Sequence, residues 1–326
     1  MSWRNSGIHL INPLWDANGG SERRTLHLYR ALLPHRPVTL WSEYAPDPLL
    51  AADFPIRRIR SERLQFPKTG TFVFVGAYFY VGGWLRYALP RRIILVYNIP
   101  QPDKLRERLA QFSRYGADRV ELVYASEMMK QAAGLPGVVE PSLIDIQRFV
   151  PARDAPARPF TVGRLSRDTP DKHHDGDPEI YRQLAAAGCR VRVMGGTCLK
   201  PRLSPPADTI ELLPAGKEPA HSFLQGLDCF FYRTHPNCVE ASGRVVTEAM
   251  ACGLPVVCHR SGGYREYIDH GRNGFLFDSD EEALGILLRL KHDAALRQTV
   301  GQAARAAMEA VFSPAAQRDI AGYYLQ

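Results

Sequence analysis

Short apolar runs alternate with longer helical patterns along the whole chain, and a proline-bearing stretch near the middle interrupts the alternation once. In the first series, Ile8 to Ile11, Val38 to Trp41, Thr71 to Val75, Ile93 to Tyr97 and Glu121 to Tyr124 have the length of strands. Helices are predicted from Ser21, as a cap, through Leu33, and over Gly82 to Ala88 and Asp103 to Tyr115. The second series predicts strands at Phe160 to Val162, Val191 to Met194, Thr209 to Leu213, Asp228 to Tyr232 and Pro255 to Cys258. Its helices are expected over Pro178 to Ala187, Val245 to Cys252, Asp280 to Lys291 and Asp293 to Val311. Strand followed by helix, repeated, builds a parallel sheet with helices on both faces.

A length of 326 residues suits two such domains. The segment from Asp145 to Pro159 holds three prolines and no apolar periodicity, and it is the expected linker. The predicted architecture is α/β, with two Rossmann-like doubly wound domains facing each other across a cleft, where such folds bind ligands. An N-terminal domain is assigned to residues 1–152 and a second domain to 153–312. Residues 313–326 are expected to form a helix that packs back on the first domain.

Hydrophobic residues at 45% and charged residues at 23% describe a globular chain rather than a disordered or fibrous one. The net charge of +7 suits an anionic partner such as a nucleotide diphosphate or an acidic lipid surface. The arginines are scattered, and Glu62 breaks the densest group, Arg57, Arg58, Arg60 and Arg63, so charge gives little support for nucleic acid. All six cysteines lie in the second half without a Cys-x-x-Cys pair, which argues against a zinc ribbon or redox motif. Reduced thiols in apolar runs point to a cytoplasmic protein. Gly7 to Ile11 is too short for a signal peptide, and Gly76, Gly82, Gly83 and Arg86 interrupt the aromatic stretch from Thr71 to Leu89.

The residues that carry chemistry concentrate in the second half. Glu240-Ala-Ser-Gly-Arg-Val-Val-Thr-Glu248 places seven residues between two carboxylates, with Gly243 near the middle and a helix expected from about Arg244. Unpaired amides at a helix start attract an anion, and glycine lets a phosphate approach the backbone. Ser242, Gly243, Arg244 and Val245 form this expected seat. Glu248, about one turn further along, would face the same ligand. Carboxylates accept hydrogen bonds from sugar and ribose hydroxyls while amides hold a diphosphate.

Three further segments bear on the same chemistry. Asn18-Gly19-Gly20-Ser21-Glu22 joins the first strand to the first helix, a place for a tight turn beside helix-start amides. Phe160-Thr-Val-Gly163-Arg164-Leu-Ser-Arg167 runs on to Lys172 and supplies cations after a strand. Ser261-Gly262-Gly263 precedes an Asn273-Gly274 pair that is turn chemistry for a hairpin. Asp171-Lys-His173-His174-Asp175-Gly-Asp177 lacks regular metal-ligand spacing and reads as a solvated turn, so no metal is expected.

With Glu240-x7-Glu248 leading into Ala249-Met-Ala-Cys-Gly-Leu-Pro-Val-Val257, the chain resembles the retaining glycosyltransferases of family 4, the group 1 glycosyltransferases of GT-B fold. The resemblance spans nearly the whole chain and is specific mainly from Arg164 to Phe277. It implies transfer of a sugar from a nucleotide-diphosphate donor, as co-substrate, with no metal or other cofactor. By the same likeness Glu240 contacts the transferred sugar and Glu248 the donor ribose. Arg164 and Lys172 neutralise the diphosphate, with Arg167 a rival to Lys172 because the Arg164-to-Lys172 gap is longer than usual and His173 replaces a glycine. Gly19, Gly20 and Gly163 are expected near the donor.

On the acceptor side, Tyr97 and Asn98 stand where the family commonly has a histidine, and Asn98 cannot act as a base near neutral pH. The expected partners are the nucleotide sugar and a saccharide or lipid-linked acceptor, with peripheral contact at the inner face of a membrane. A nucleotide-sugar epimerase of the same fold, or a non-catalytic nucleotide-sugar or glycan-binding protein, is the alternative.

Overall fold

The computed structural model describes residues 7–116, 119–152, 158–204 and 207–326. The chain forms two compact units, Met1–Leu143 with Pro314–Gln326, and Ile144–Ser313. In unit 1 the strands β1 (Ile8–Ile11), β2 (Val38–Ser42), β3 (Ile56–Arg58), β4 (Thr69–Val75), β5 (Leu89–Tyr97), β6 (Val120–Tyr124) and β7 (Val138–Val139) form a parallel sheet in the order β3-β2-β1-β4-β5-β6-β7. Helices α1 (Gly20–Leu32), α2 (Pro48–Asp53), α3 (Pro102–Arg114) and α4 (Glu127–Ala133) connect them. The order reverses between β1 and β4, and at such a switch point the carboxyl ends of the strands open a crevice for ligand.

Unit 2 repeats the plan with β8 (Thr161–Leu165), β9 (Arg190–Met194), β10 (Ile210–Leu213), β11 (Cys229–Tyr232), β12 (Val256–His259) and β13 (Phe275–Phe277). Their order is β10-β9-β8-β11-β12-β13, all parallel, with the reversal between β8 and β11. Its helices are α5 (Asp177–Ala186), α6 (Ala220–Gln225), α7 (Arg244–Ala251), α8 (Asp280–His292) and α9 (Ala294–Val311). Both sheets are covered on two faces, so their central strands are nearly continuous apolar runs: Phe72 to Val75, Ile94 to Val96 and Cys229 to Phe231 are all at most 1% exposed.

The last helix, α10 (Pro314–Leu325), belongs to unit 1 because its side chains are fastened there. Ala321 and Tyr324 join the core of Ile8, Leu10, Leu28 and Leu32. The Tyr324 hydroxyl donates to Glu140 at 2.6 Å, and Arg24 pairs with the same carboxylate at 3.1 Å. Arg92 donates to the carbonyl of Tyr323 at 2.5 Å.

Several expectations need correction. Ser21 does not cap α1; Gly19 occupies the cap position, and Ser21 lies within the helix with its hydroxyl accepting from Asn12 at 3.1 Å. The helix predicted at Gly82 to Ala88 is a short 3-10 turn, Gly83–Tyr87, wound around the buried Trp84. The Asn273-Gly274 pair makes no hairpin, because β13 runs parallel to β12. Instead the Asn273 side chain accepts from the Asp269 amide at 2.7 Å and donates to the Tyr267 carbonyl at 3.1 Å, closing a local loop. The unit boundary also precedes the expected one at 152/153. Arg305 donates to the carbonyls of Ile146 and Phe149 at 3.2 and 2.5 Å and Gln225 to that of Val150 at 2.9 Å, which ties this segment to unit 2. Residues 153–157 of the expected linker lie outside the described residues.

Candidate functional site

The carboxyl ends of β8 and β11, at the switch point of unit 2, carry the residues that the sequence singles out. After β8 the chain makes a 3-10 turn, Pro170–Lys172, and the Lys172 ammonium lies 2.8 Å from Glu240 Oε2. Tyr232, the last residue of β11, donates its hydroxyl to the same oxygen at 2.8 Å. Burial would raise the Glu240 carboxyl, but the Lys172 charge and these hydrogen bonds outweigh it and hold the carboxyl below its ordinary range. Lys172, similarly desolvated, is held above its ordinary range by Glu240. The pair is therefore ionised through neutral pH. One Lys172 donor is committed to Glu240, which leaves two.

Helix α7 begins beside this pair. Gly243 stands at its cap position with φ of 62°, and a Cβ there would lie 2.4 Å from the Tyr264 ring, so both backbone angle and space require glycine. No side chain caps the helix. The first amides, from Arg244 and Val245, accordingly have no side-chain acceptor at the cap, while Ser242 is half-buried just before them. Glu248 is buried one turn in and accepts from Arg244 Nε at 2.8 Å. Gly263 donates its amide to the Glu240 carbonyl at 2.9 Å, so the Gly262-Gly263 turn supports the Glu240 backbone.

Arg164 departs from expectation. Its guanidinium is fully buried, paired with Asp177 at 3.0 Å, stacked over the Tyr232 ring at 4.9 Å, and bonded to the carbonyls of Arg233 (2.9 Å) and Lys172. Such a group does not present charge to a ligand; it fixes the turn that aims Lys172. Asp177 also accepts from Arg233 at 2.6 Å, which completes a buried arginine–aspartate–arginine unit. Gly163 likewise lies inside β8, where a Cβ would meet Leu227 at 2.5 Å, so it serves packing. Arg167 is exposed and pairs with Asp171 at 3.5 Å, away from Glu240's partners.

The histidines of the 171–177 segment are structural. His173 Nε2 bonds the Gly195 carbonyl at 2.8 Å, and burial with the nearby Arg164 charge pushes its pKa down to about 4. His174 Nδ1 accepts from the Gly176 amide at 3.0 Å. Among the described residues, no three His, Cys, Asp or Glu side chains gather as a metal set.

In unit 1, Gly19 is buried at the start of α1 and Gly20 is exposed. A Cβ on Gly19 would sit 2.0 Å from Glu22 Oε2, so this glycine makes room for the Glu22 carboxyl. Ser21 Oγ accepts from Asn12 and Asn98, each at 3.1 Å. Glu22 Oε1 and Asn98 Oδ1 are buried acceptors without partners. Burial, with Asp16 nearby, pushes the Glu22 carboxyl up to about 7. Tyr97 departs from the acceptor-side expectation: it is 3% exposed and packs edge-on against Tyr124.

Sequence reasoning missed Tyr232 beside Glu240, Asp177 and Arg233 around Arg164, and Asn12 and Tyr78 in unit 1. Tyr232 and Asn12 sit at or just past strand ends that flank the two switch points, a positional signal that motif reading overlooks.

Two parallel Rossmann-like sheets in one chain match the GT-B fold of glycosyltransferases. The structure is similar over 98% of its length to HepE of Anabaena in complex with UDP and glucose, with a TM-score of 0.74, 16% identity and 99% of that chain covered. It is equally similar to the sucrose-phosphate synthase of Thermosynechococcus elongatus, at TM-score 0.75, 16% identity and 98% of both chains. Residues 206–307 match the family model of glycosyl transferases group 1. In sequence the chain is 30% identical over 192 residues to a GDP-mannose-dependent alpha-mannosyltransferase of Mycobacterium tuberculosis, covering 56% of this chain and 49% of that protein. It is 31% identical over 219 residues, 57% of each, to a GDP-mannose-dependent alpha-(1-6)-phosphatidylinositol monomannoside mannosyltransferase of Mycolicibacterium smegmatis. The chain thus spans about half the length of these relatives. Together the findings support the group 1 glycosyltransferase family.

Proposed function

We propose that the chain is a glycosyltransferase that moves a hexosyl group from a nucleotide-diphosphate sugar to a hydroxyl acceptor with retention at the anomeric carbon. Unit 2 holds the donor and unit 1 the acceptor. The observation that carries this reading is the Lys172–Glu240–Tyr232 cluster beside the start of α7. A cation, an ionised carboxylate and helix-start amides meet the three parts of such a donor: diphosphate, sugar hydroxyls and the bridge between them.

In the proposed reaction the bond between the anomeric carbon and the phosphate oxygen breaks, and the electron pair leaves with the diphosphate. The acceptor oxygen forms its bond on the face from which the diphosphate departs, and the acceptor proton passes to the leaving oxygen. The amides of Arg244 and Val245 and the free donors of Lys172 meet the charge that develops on that oxygen. Glu240 holds the transferred sugar by its hydroxyls, Glu248 the ribose, and Arg164 acts through Lys172 as a positioning residue. No metal is required, because cation and amides supply the positive charge.

Mannosyltransferases that depend on GDP-mannose and a neighbour solved with UDP-glucose set the first donors to try. Each is incubated with the protein, with and without a candidate saccharide, and the products are separated by chromatography. Free nucleoside diphosphate with a glycosylated acceptor of retained configuration is the expected result. An isomerised nucleotide sugar would replace this reading with an epimerase, and unchanged donor that is nevertheless bound would replace it with a binding protein. Among the described residues no helix is long and apolar enough to cross a membrane, and contact of the protein with a membrane face belongs to the same proposal as the acceptor.

A further inference from the structure

Unit 1 contains a cavity of about 630 Å³ that the transfer reading does not use. Its walls are the segment after β4, Ala77 to Tyr80, together with Tyr44, Arg86 and one side of α3 from Lys104 to Arg114. Four cations line it, Arg86, Lys104, Arg108 and Arg114, against one carboxylate, Glu107. Glu107 is already paired with Lys104 at 2.8 Å. That leaves three arginines, and among the described residues none of them has a carboxylate within ion-pair distance.

Arg108 is the buried one of the three. It is 5% exposed, and its guanidinium lies over Phe79 at 5.4 Å and Phe112 at 5.9 Å. Its Nη1 donates to Gln111, its Nη2 reaches the Ala77 carbonyl only at 3.5 Å, and its Nε has no partner. The acid whose charge it feels most, Glu43, makes no ion pair with it; Glu43 Oε1 accepts instead from the Gly82 amide at 2.7 Å and from Trp84 Nε1 at 2.5 Å. A desolvated cation without a paired anion is costly to keep. Burial pushes the Arg108 pKa down to about 10, in keeping with that cost.

We propose that this cavity is an oxyanion subsite, in which Arg108 with Arg86 and Arg114 binds a phosphate or carboxylate group carried on a saccharide. The guanidinium fork matches the two oxygens of such a group. Tyr44, Tyr80 and Tyr115 border the cations, and Arg86 lies over the Tyr115 ring at 5.2 Å, so aromatic faces are available for the sugar beside the anion. As a determinant of acceptor choice the subsite rests on the transfer reading; as a binding site it stands independently.

The test is titration calorimetry on the full chain with glucose 6-phosphate, glucuronic acid and glucose, beside sedimentation with vesicles of phosphatidylglycerol and phosphatidylcholine. At least one of the two anionic sugars is expected to bind tenfold or more tightly than glucose, and less tightly as salt rises. The exposed pair R86Q/R114Q is expected to lower that affinity at least fivefold, and R108Q at least tenfold; if R108Q fails to fold, the surface pair decides. Lys172→Met, which removes a cation of the donor seat, reports separately on any anion held in unit 2. Vesicle binding that depends on phosphatidylglycerol and is lost in R86Q/R114Q would identify the oxyanion as a lipid headgroup and support the site. The proposal is overturned if neither sugar anions nor anionic vesicles bind better than their neutral counterparts, or if R86Q/R114Q binds like the wild type. Loss of binding only in the Lys172 variant would place the anion in unit 2 and overturn it too. None of these readouts depends on sugar transfer, so failure of the transfer reading is seen separately in the product assay.

Discussion

Arg164 donates to the backbone carbonyl of Lys172, so a guanidinium with no exposure sets the turn from which the Lys172 ammonium reaches Glu240. Replacing Arg164 by leucine would leave Asp177 in the core with Arg233 as its remaining ion-pair partner. Breaking a buried pair in this way costs about 3–5 kcal/mol. In a unit of this size that is a fall in melting temperature of roughly 10 °C. Arg164→Lys keeps the charge but not the fork, and its melting temperature should fall between the two. Calorimetric melting of both variants checks the order. A leucine variant as stable as the wild type would remove the positioning role.

Glu240→Gln and Lys172→Met test the pair directly. Each should lower turnover by about 10²–10³-fold, the usual loss when a group aimed at developing charge is removed. Donor affinity should change less than turnover. The pH profile follows from the shifts. The Glu240 carboxyl is held below its ordinary range, so the pair persists above the unfolded carboxyl value near 4.5 and fails as pH falls through the lower folded value. Lys172 is held above its ordinary range, so the alkaline loss lies above about 10.4. A flat rate between about pH 5 and 9 in kcat is expected from this pair, and an acid limb with a midpoint near 6 would contradict it.

Both parallel sheets and nearly every central strand are legible in the sequence, because strands buried on two faces read as continuous apolar runs. The shortest elements are not: β3, β7 and α2 span only a few residues each, and only one residue of α2, Leu50, is buried. At the site, Glu240 and Glu248 stand out by their spacing but Lys172 does not: its gap from Arg164 is longer than usual, and the ion pair with Glu240 is what separates it from Arg167. Arg164 could not be read correctly, because a strand-end arginine that faces a ligand and one that is swallowed by Asp177, Tyr232 and two carbonyls look alike in one dimension. Gly163 misled for a similar reason. Its smallness serves Leu227 across the sheet rather than a phosphate.

Gly243→Ala should separate the helix start from the carboxylates. The residue has φ of 62°, and its added methyl would meet the Tyr264 ring at 2.4 Å, so strain and overlap together should cost about 2–4 kcal/mol locally. Displacement of the α7 amides should weaken donor binding by tenfold or more. Glu248→Ala should weaken it by roughly tenfold to a hundredfold through loss of charged hydrogen bonds, without the strain. Donor titration with melting curves distinguishes them: only the glycine variant should lose both affinity and several degrees of stability.

Glu22 predicts a pH dependence that belongs to unit 1. Its carboxyl is 3% exposed, has one oxygen without a partner, and is pushed up to about 7 by burial. A carboxyl raised in the folded state binds its proton there at a pH where the unfolded chain has released it. Its contribution to stability is therefore complete below about 4.5 and is lost as pH rises through about 7, an effect on the order of 3 kcal/mol. Glu22→Gln keeps the shape and removes the titration. Denaturant unfolding of the two proteins from pH 4 to 8 should show the wild type losing stability relative to the variant across that window, with the variant the more stable at pH 8. A ligand with two hydroxyls, one donating to Glu22 Oε1 and the other to Asn98 Oδ1, would satisfy both orphaned acceptors in the polar cup around Ser21. If the two proteins respond identically to pH, Glu22 is ionised in the fold and the cup is already satisfied without a ligand.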